Sequence, residues 1–223
     1  CEYNFPYTDP ASFTALSALI ENVGVSAYLG AAGSISNAAY LTAAGSILTT
    51  EARHQAWVSS AVNKNEAWSG PYDTPVGFNV VYSAVTPFFV SCPASNPALP
   101  FKAFPALTYD AATGAVTGAS DGQYIALYQG LDIATYPIQG GKVQLPTTQG
   151  TAYITATSEK NATLVGDANI VAGREYSLPT TFSADTNPCP FQPPLSSTTS
   201  SPTSRTPLLD SPLLPKRFPE FVF

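Results

Sequence analysis

Methionine is absent from the 223 residues, histidine occurs once, at His54, and charged side chains make up only 11% of the chain. Each scarcity excludes something. With one histidine and three cysteines there is no zinc-type cluster of imidazoles and thiolates. Gly118-Ala119-Ser120-Asp121-Gly122 has the spacing of a nucleophile elbow, but no second histidine exists to act as its base and the following residues read as a strand. It is better read as a turn. Phosphate-loop and dinucleotide fingerprints are missing too. Nine Lys/Arg against fifteen Asp/Glu leave a net charge of -6 and a pI near 4.6, with no basic cluster. Nucleic acid and anionic membrane surfaces are therefore poor partners.

The lack of methionine, with Cys1 as the first residue, leads to the expectation of a mature, trimmed or partial form from which any signal peptide is gone. Three cysteines allow at most one internal bridge. Cys1 and Cys92 flank the apolar helical region while Cys189 lies in a Pro-rich stretch, so Cys1 with Cys92 is the expected pair; the alternative is three unpaired residues. The sequon Asn161-Ala162-Thr163 and the sparse charge point the same way, to a secreted protein of the extracellular space or cell wall.

What is present is a long apolar region with very few ionic groups. From Pro10 to Val62 the only charged or histidine side chains are Glu21, Glu51, Arg53 and His54. Thr8-Asp9-Pro10 reads as a helix start, with a capping carboxylate and proline at the first helical position. That helix runs to about Gly33 with Glu21 in its middle. Asn37 then caps a second helix from about Ala38 to Val62 or Asn63.

Glu51 and His54, three residues apart, lie one turn apart on the inner stripe of the second helix, and Arg53 points away. With the turn at Ile35, Glu21 and Glu51 fall at similar levels of an antiparallel hairpin, about 3 Å apart along the axis at ~1.5 Å per residue. Glu21-Asn22 in the first helix and Glu51, Arg53 and His54 in the second argue against a transmembrane hairpin.

A carboxylate in such surroundings is costly unless it is paired, hydrogen-bonded or bound to metal. Carboxylate-bridged dimetal proteins take one Glu from each of two helices and a Glu-x-x-His from each of the other two. Carboxylates bridge hard cations and imidazole adds a neutral donor. Glu21, Glu51 and His54 make one half of that set. The plainer reading, weighed equally on spacing alone, is a hydrogen-bonded pair at a helix edge.

Prolines at 71, 75, 87, 93, 97 and 100 break the chain after the hairpin, leaving Val76 to Val90 as a short helix or strand. From about Phe101 the period shortens. The runs Gln123 to Tyr128, Lys142 to Leu145 and Thr151 to Thr157 are separated by turns at Asp121-Gly122, Gly140-Gly141 and Gln149-Gly150, which predicts a small antiparallel β-sandwich. Past Asn187 the composition becomes Pro, Ser and Thr, expected to be a disordered or O-glycosylated tail. The fold class is α+β: residues 1–66 a helical hairpin, 67–100 an irregular connection, 101–187 the sandwich and 188–223 the tail.

Cys1-Glu2-Tyr3-Asn4-Phe5-Pro6, the run from Leu19 through Glu21-Asn22-Val23-Gly24 to Ala32, Ala43 to Leu48, and Glu51-Ala52-Arg53-His54 resemble the second half of the fungal ferritin-like, stress- and desiccation-related secreted proteins. A weaker similarity continues to Ile170-Val171-Ala172-Gly173, and the tail departs from that family. The resemblance implies half of a ferritin-like four-helix bundle, with a first helix pair that would precede Cys1 and is not in this sequence.

Iron or manganese at Glu21, Glu51 and His54 is the implied cofactor, and a homodimer of two hairpins is one way to complete the bundle. The alternative is a non-catalytic surface or wall protein with a vestigial site. In that case Tyr124, Tyr128, Tyr136 and Tyr153 are candidates for carbohydrate contact. No residue is assigned a catalytic role.

Overall fold

The computed structural model describes residues 1–148 and 150–177. Cys189 and the Ser/Thr/Pro-rich tail lie outside the described residues. In chain order the elements are β1 (Glu2–Tyr3), α1 (Pro10–Ala31), α2 (Ala38–Trp57), α3 (Phe78–Val85), β2 (Phe89–Ser91), β3 (Thr108–Tyr109), β4 (Val116–Thr117), β5 (Tyr124–Gln129), β6 (Asp132–Pro137), β7 (Ala152–Thr157) and β8 (Ile170–Ser177). The class is α+β.

Both long helices begin where their capping residues place them. The Asp9 carboxylate accepts the Ser12 backbone N–H at 2.8 Å, and the Asp9 N–H donates to the Ser12 hydroxyl at 3.1 Å, a reciprocal capping box ahead of Pro10. These bonds hold the Asp9 carboxyl below its ordinary range, led by the one from the Ser12 backbone. Asn37 accepts the N–H groups of Ala39 and Tyr40 and so opens α2.

The helical segments reach their expected ends, near Gly33 and at Val62, but change pitch before them. α1 tightens into a 3-10 turn at Ala32–Ser34, and α2 widens into a π turn at Val58–Val62. By length and composition alone, Pro10–Ser34 is apolar enough to cross a membrane, with a mean hydropathy of 1.3.

The main sheet is antiparallel with strand order β6-β5-β7-β8. Its two middle strands are buried on both faces. Ile125, Leu127, Ala152, Ile154 and Ala156 point to one side, where Leu107, Val116, Ile138 and Val143 cover them. Ala126, Tyr128 and Tyr153 point to the other, against Val23 of α1, Val76, and Val80 and Ala84 of α3. Period-2 side chains thus feed two cores at once. The layer facing the first core is the β3–β4 ribbon and the irregular segment around Ile138 and Val143 rather than a full second sheet.

Of the expected strands, those at 123–128 and 151–157 correspond to β5 and β7. The run 142–145 forms only single bridges, Lys142 with Ala115 and with Gln139. Asp121 explains why: its carboxylate accepts the N–H groups of Gly140 and Gly141, both at positive φ, and holds the chain in a turn there. The Gly118–Gly122 stretch is a turn, as expected.

Cys1 and Cys92 form a disulfide, beside the two-stranded pairing of β1 with β2. Together they tie the start of the chain to the segment after α3.

Tyr153 joins the sheet to α1. Its hydroxyl lies 2.8 Å from Asn22 Oδ1 and 2.9 Å from Ser26 Oγ, all three residues being buried. We expect Tyr153→Phe to cost about 1–3 kcal/mol, the range for buried polar groups left unpaired, measured by urea unfolding.

Two helix glycines test the packing in opposite directions. A methyl on Gly30 would sit 1.9 Å from the Val76 carbonyl oxygen, whereas one on Gly45 meets nothing within 4 Å. Gly45→Ala should stabilise by up to about 1 kcal/mol through lower unfolded-chain entropy, and Gly30→Ala should destabilise, both read from thermal midpoints.

Candidate metal centre

α1 and α2 pack against each other and bring Glu21, Glu51 and His54 together. His54 Nδ1 lies 3.2 Å from Glu21 Oε1, with the His54 side chain 58% exposed and that of Glu21 26% exposed. Glu51 crosses to α1 one turn further on. A methyl built on Gly24 would stand 2.3 Å from Glu51 Oε2, so the carboxylate occupies the space that only glycine leaves free.

The observed register pairs Glu21 with His54 and Gly24 with Glu51, which centres the turn near Asn37 rather than at Ile35. The 3-10 turn and the extended Ile35 use up the residues between the helices.

Glu51 is the electrostatically strained member. Its Oε2 is buried and accepts no hydrogen bond. Burial pushes its pKa up, the negative charge of Glu21 adds to this, and His54 pulls the other way. Such an atom lacks a partner that a cation or a proton would supply.

The three side chains provide two carboxylates and one imidazole, donors suited to iron or manganese. An orphaned carboxylate oxygen in a glycine cradle fits one wall of a metal site. They do not close one: among the described residues no group of three or more His, Cys, Asp or Glu side chains is arranged to hold a metal ion.

The comparisons with known proteins bear on this helix pair. Residues 1–64 match the ferritin-like domain family. No curated protein matches the chain. The ferritin-like match ends just beyond the π turn and contains all three candidate ligands.

Other features bear on the alternative readings. Tyr128 and Tyr153 are 6% and 2% exposed and form part of the core, while Tyr124 and Tyr136 are half-buried. Sequence reasoning missed the part played by Gly24, although a glycine inside a helix of this length is a signal that something approaches closely. It also missed Glu66, whose Oε2 is likewise buried without a hydrogen bond. Glu66 borders a cavity of about 650 Å³ lined by Thr14, Gln55, Ser59 and Asn63, whose walls do not include Glu21, Glu51 or His54.

Glu51 gives a pH test in metal-stripped protein. Its raised folded-state pKa means that the folded state keeps the proton to higher pH than the unfolded chain does, so stability falls as pH rises through that window. Glu51→Gln should raise the thermal midpoint at neutral pH by a few degrees, at about 2–4 °C per kcal/mol for a chain of this size. The gain should vanish as pH drops below the ordinary carboxylate range.

Proposed function

We propose that the ferritin-like helix pair carries half of a carboxylate–imidazole metal site, with Glu21, Glu51 and His54 as ligands and iron or manganese as the metal. The orphaned Glu51 oxygen, seated on Gly24 beside Glu21 and His54, is the observation that carries this reading. A bound metal of this kind supplies redox chemistry with dioxygen or peroxide.

The chain's own contribution is positional. Gly24 makes room for the Glu51 carboxylate, and the closeness of Glu21 and His54 sets the spacing of the remaining donors. Imidazole in contact with a carboxylate also keeps its ring oriented. The setting we infer is extracellular or the cell wall, in a stress-related role. The Cys1–Cys92 disulfide and the exposed sequon at Asn161 support an oxidising compartment.

A second reading is favoured by one contact. His54 and Glu21 already satisfy each other at 3.2 Å, so the pair also makes sense as a structural clasp in a non-catalytic surface protein.

Manganese titration of chelator-stripped protein separates the two. The metal-site reading expects saturable binding that weakens by at least about 10–100-fold in Glu51→Ala and in His54→Ala. Unchanged binding in both variants, or no binding by the parent protein, leaves the clasp.

A further inference from the structure

Glu66 stands apart from the candidate metal ligands, and its surroundings carry a different binding chemistry. One of its carboxylate oxygens, Oε2, is buried and accepts no hydrogen bond. The nearest cation along the chain does not answer it, because Lys64 gives its ammonium to the Ala61 carbonyl oxygen at 2.8 Å. The cavity of about 650 Å³ that Glu66 borders has the size of a small-molecule site, for which ~300–1,000 Å³ is usual.

The backbone there is irregular in a way that gathers side chains into one space. The π turn Val58–Val62 widens the end of the helix, Lys64 stands at a left-handed φ of 59°, and the Asn65 N–H returns to the Ser59 carbonyl oxygen at 2.9 Å. The chain doubles back, so that Ser59, Asn63, Asn65 and Glu66 all line the cavity. Both π turns and left-handed residues other than glycine are uncommon, and both concentrate at functional sites.

What these side chains offer is acceptors. Gln55 Nε2 donates to Ser59 Oγ at 3.1 Å, and Asn63 Nδ2 donates to the Thr14 carbonyl oxygen at 3.3 Å. Each amide thus gives an N–H to the protein and keeps its carbonyl oxygen. The π turn adds the negative end of the α2 dipole, while at the start of α1 the Ser12 N–H is already held by Asp9. Among the described residues no Lys, Arg or His side chain lines the cavity. An anion finds no counter-charge there, and a cation rich in donors finds a carboxylate, two amide oxygens and a helix C-terminus.

The opposite wall sets the rest of the ligand. Ala15, Ala18 and Leu19 of α1 contribute short aliphatic side chains, and no aromatic ring lines the cavity among the described residues. Stacking of a sugar ring and the aromatic caging of a quaternary ammonium group both need such a ring. A methylene chain ending in a primary ammonium, with its three N–H donors, matches both walls.

We propose that this cavity binds linear aliphatic amines, with Glu66 as the counter-ion and Gln55 and Asn63 as further acceptors. The carboxylate shares its charge between two oxygens, and the broad terminal torsion of a glutamate lets either of them turn to an ammonium group in the cavity. The site has no residue in common with Glu21, Glu51 and His54, so it stands or falls separately from the metal reading.

The test is isothermal titration calorimetry of the full chain in EDTA and ~0.15 M salt, which screens loose surface attraction. The probe is cadaverine, a linear diamine, and its neutral counterpart is pentanediol of the same chain length. The expected result is saturable binding of the diamine, with the diol weaker by about tenfold or more, the low end of what a hydrogen bond to a charged group contributes. Glu66→Gln should weaken the diamine by a similar factor. Ala15→Leu, at an exposed helix position, should preserve the circular dichroism of the parent and abolish binding by filling the cavity.

A parent protein that does not bind the diamine overturns the proposal, and equal affinity for the diol overturns the assignment of an amine. Binding that survives either substitution overturns the site: retention in Glu66→Gln removes the counter-ion, and retention in Ala15→Leu places the amine elsewhere on the surface.

Discussion

The hydroxyl of Tyr153 is the point on which the two halves of the structure depend. α1 has to serve the sheet on one side and α2 on the other, and a helix that packs only through small apolar contacts can rotate about its axis. Hydrogen bonds from one buried tyrosine hydroxyl to Asn22 and Ser26 remove that freedom, because turning α1 would leave polar groups unpaired in the core. Asn22 immediately follows Glu21, and Gly24 is two residues beyond. The bond that seats α1 on the sheet thus also directs Glu21 and Gly24 toward α2.

Burial of the sheet on both faces follows from the same arrangement. β5 and β7 carry α1 and α3 on one face and the Leu107, Val116, Ile138 and Val143 layer on the other, so both faces are apolar, and threonine supplies the exceptions. Thr155 and Thr157 are fully buried, and their hydroxyls meet Tyr128 and the backbone of Asn169. Such strands show little of the alternation that marks a half-exposed sheet. Their identity was legible in β-branched and aromatic content between turn signals, whereas the helical layer covering one face was not. Nothing local in Tyr124 to Gln129 says that Ala126 and Tyr128 will meet Val23 and Val80, more than forty residues away.

Much of the helix pair could be read directly. Asp9-Pro10 and Asn37 mark the helix starts because capping is a local transaction between a side chain and the next turn. The change of pitch at the ends was less legible, since the 3-10 turn after Ala31 and the π turn after Trp57 answer to packing rather than to a stop residue. The connection between the helices, from Ala32 to Asn37, set the register that brings Glu21 to His54 and Glu51 to Gly24. The three residues singled out by charge are brought together, yet the contact each makes was set by the turn. Tertiary registration of this kind has no signature in spacing alone.

Glu51 also limits what one chain can do with these ligands. Its buried oxygen is costly to leave unpaired: Glu21 repels it, and His54, which is in contact with Glu21, offsets this only in part. A protein whose only task at this position was to hold two helices together would lose nothing by replacing Glu51 with an uncharged residue, and Gly24 would then have no carboxylate to accommodate. A glycine inside a helix costs about 1 kcal/mol relative to alanine. Retaining both that glycine and an unsatisfied carboxylate in one place adds two separate destabilising features to the same contact. A cation or a proton on that oxygen would relieve the second and give the first a reason.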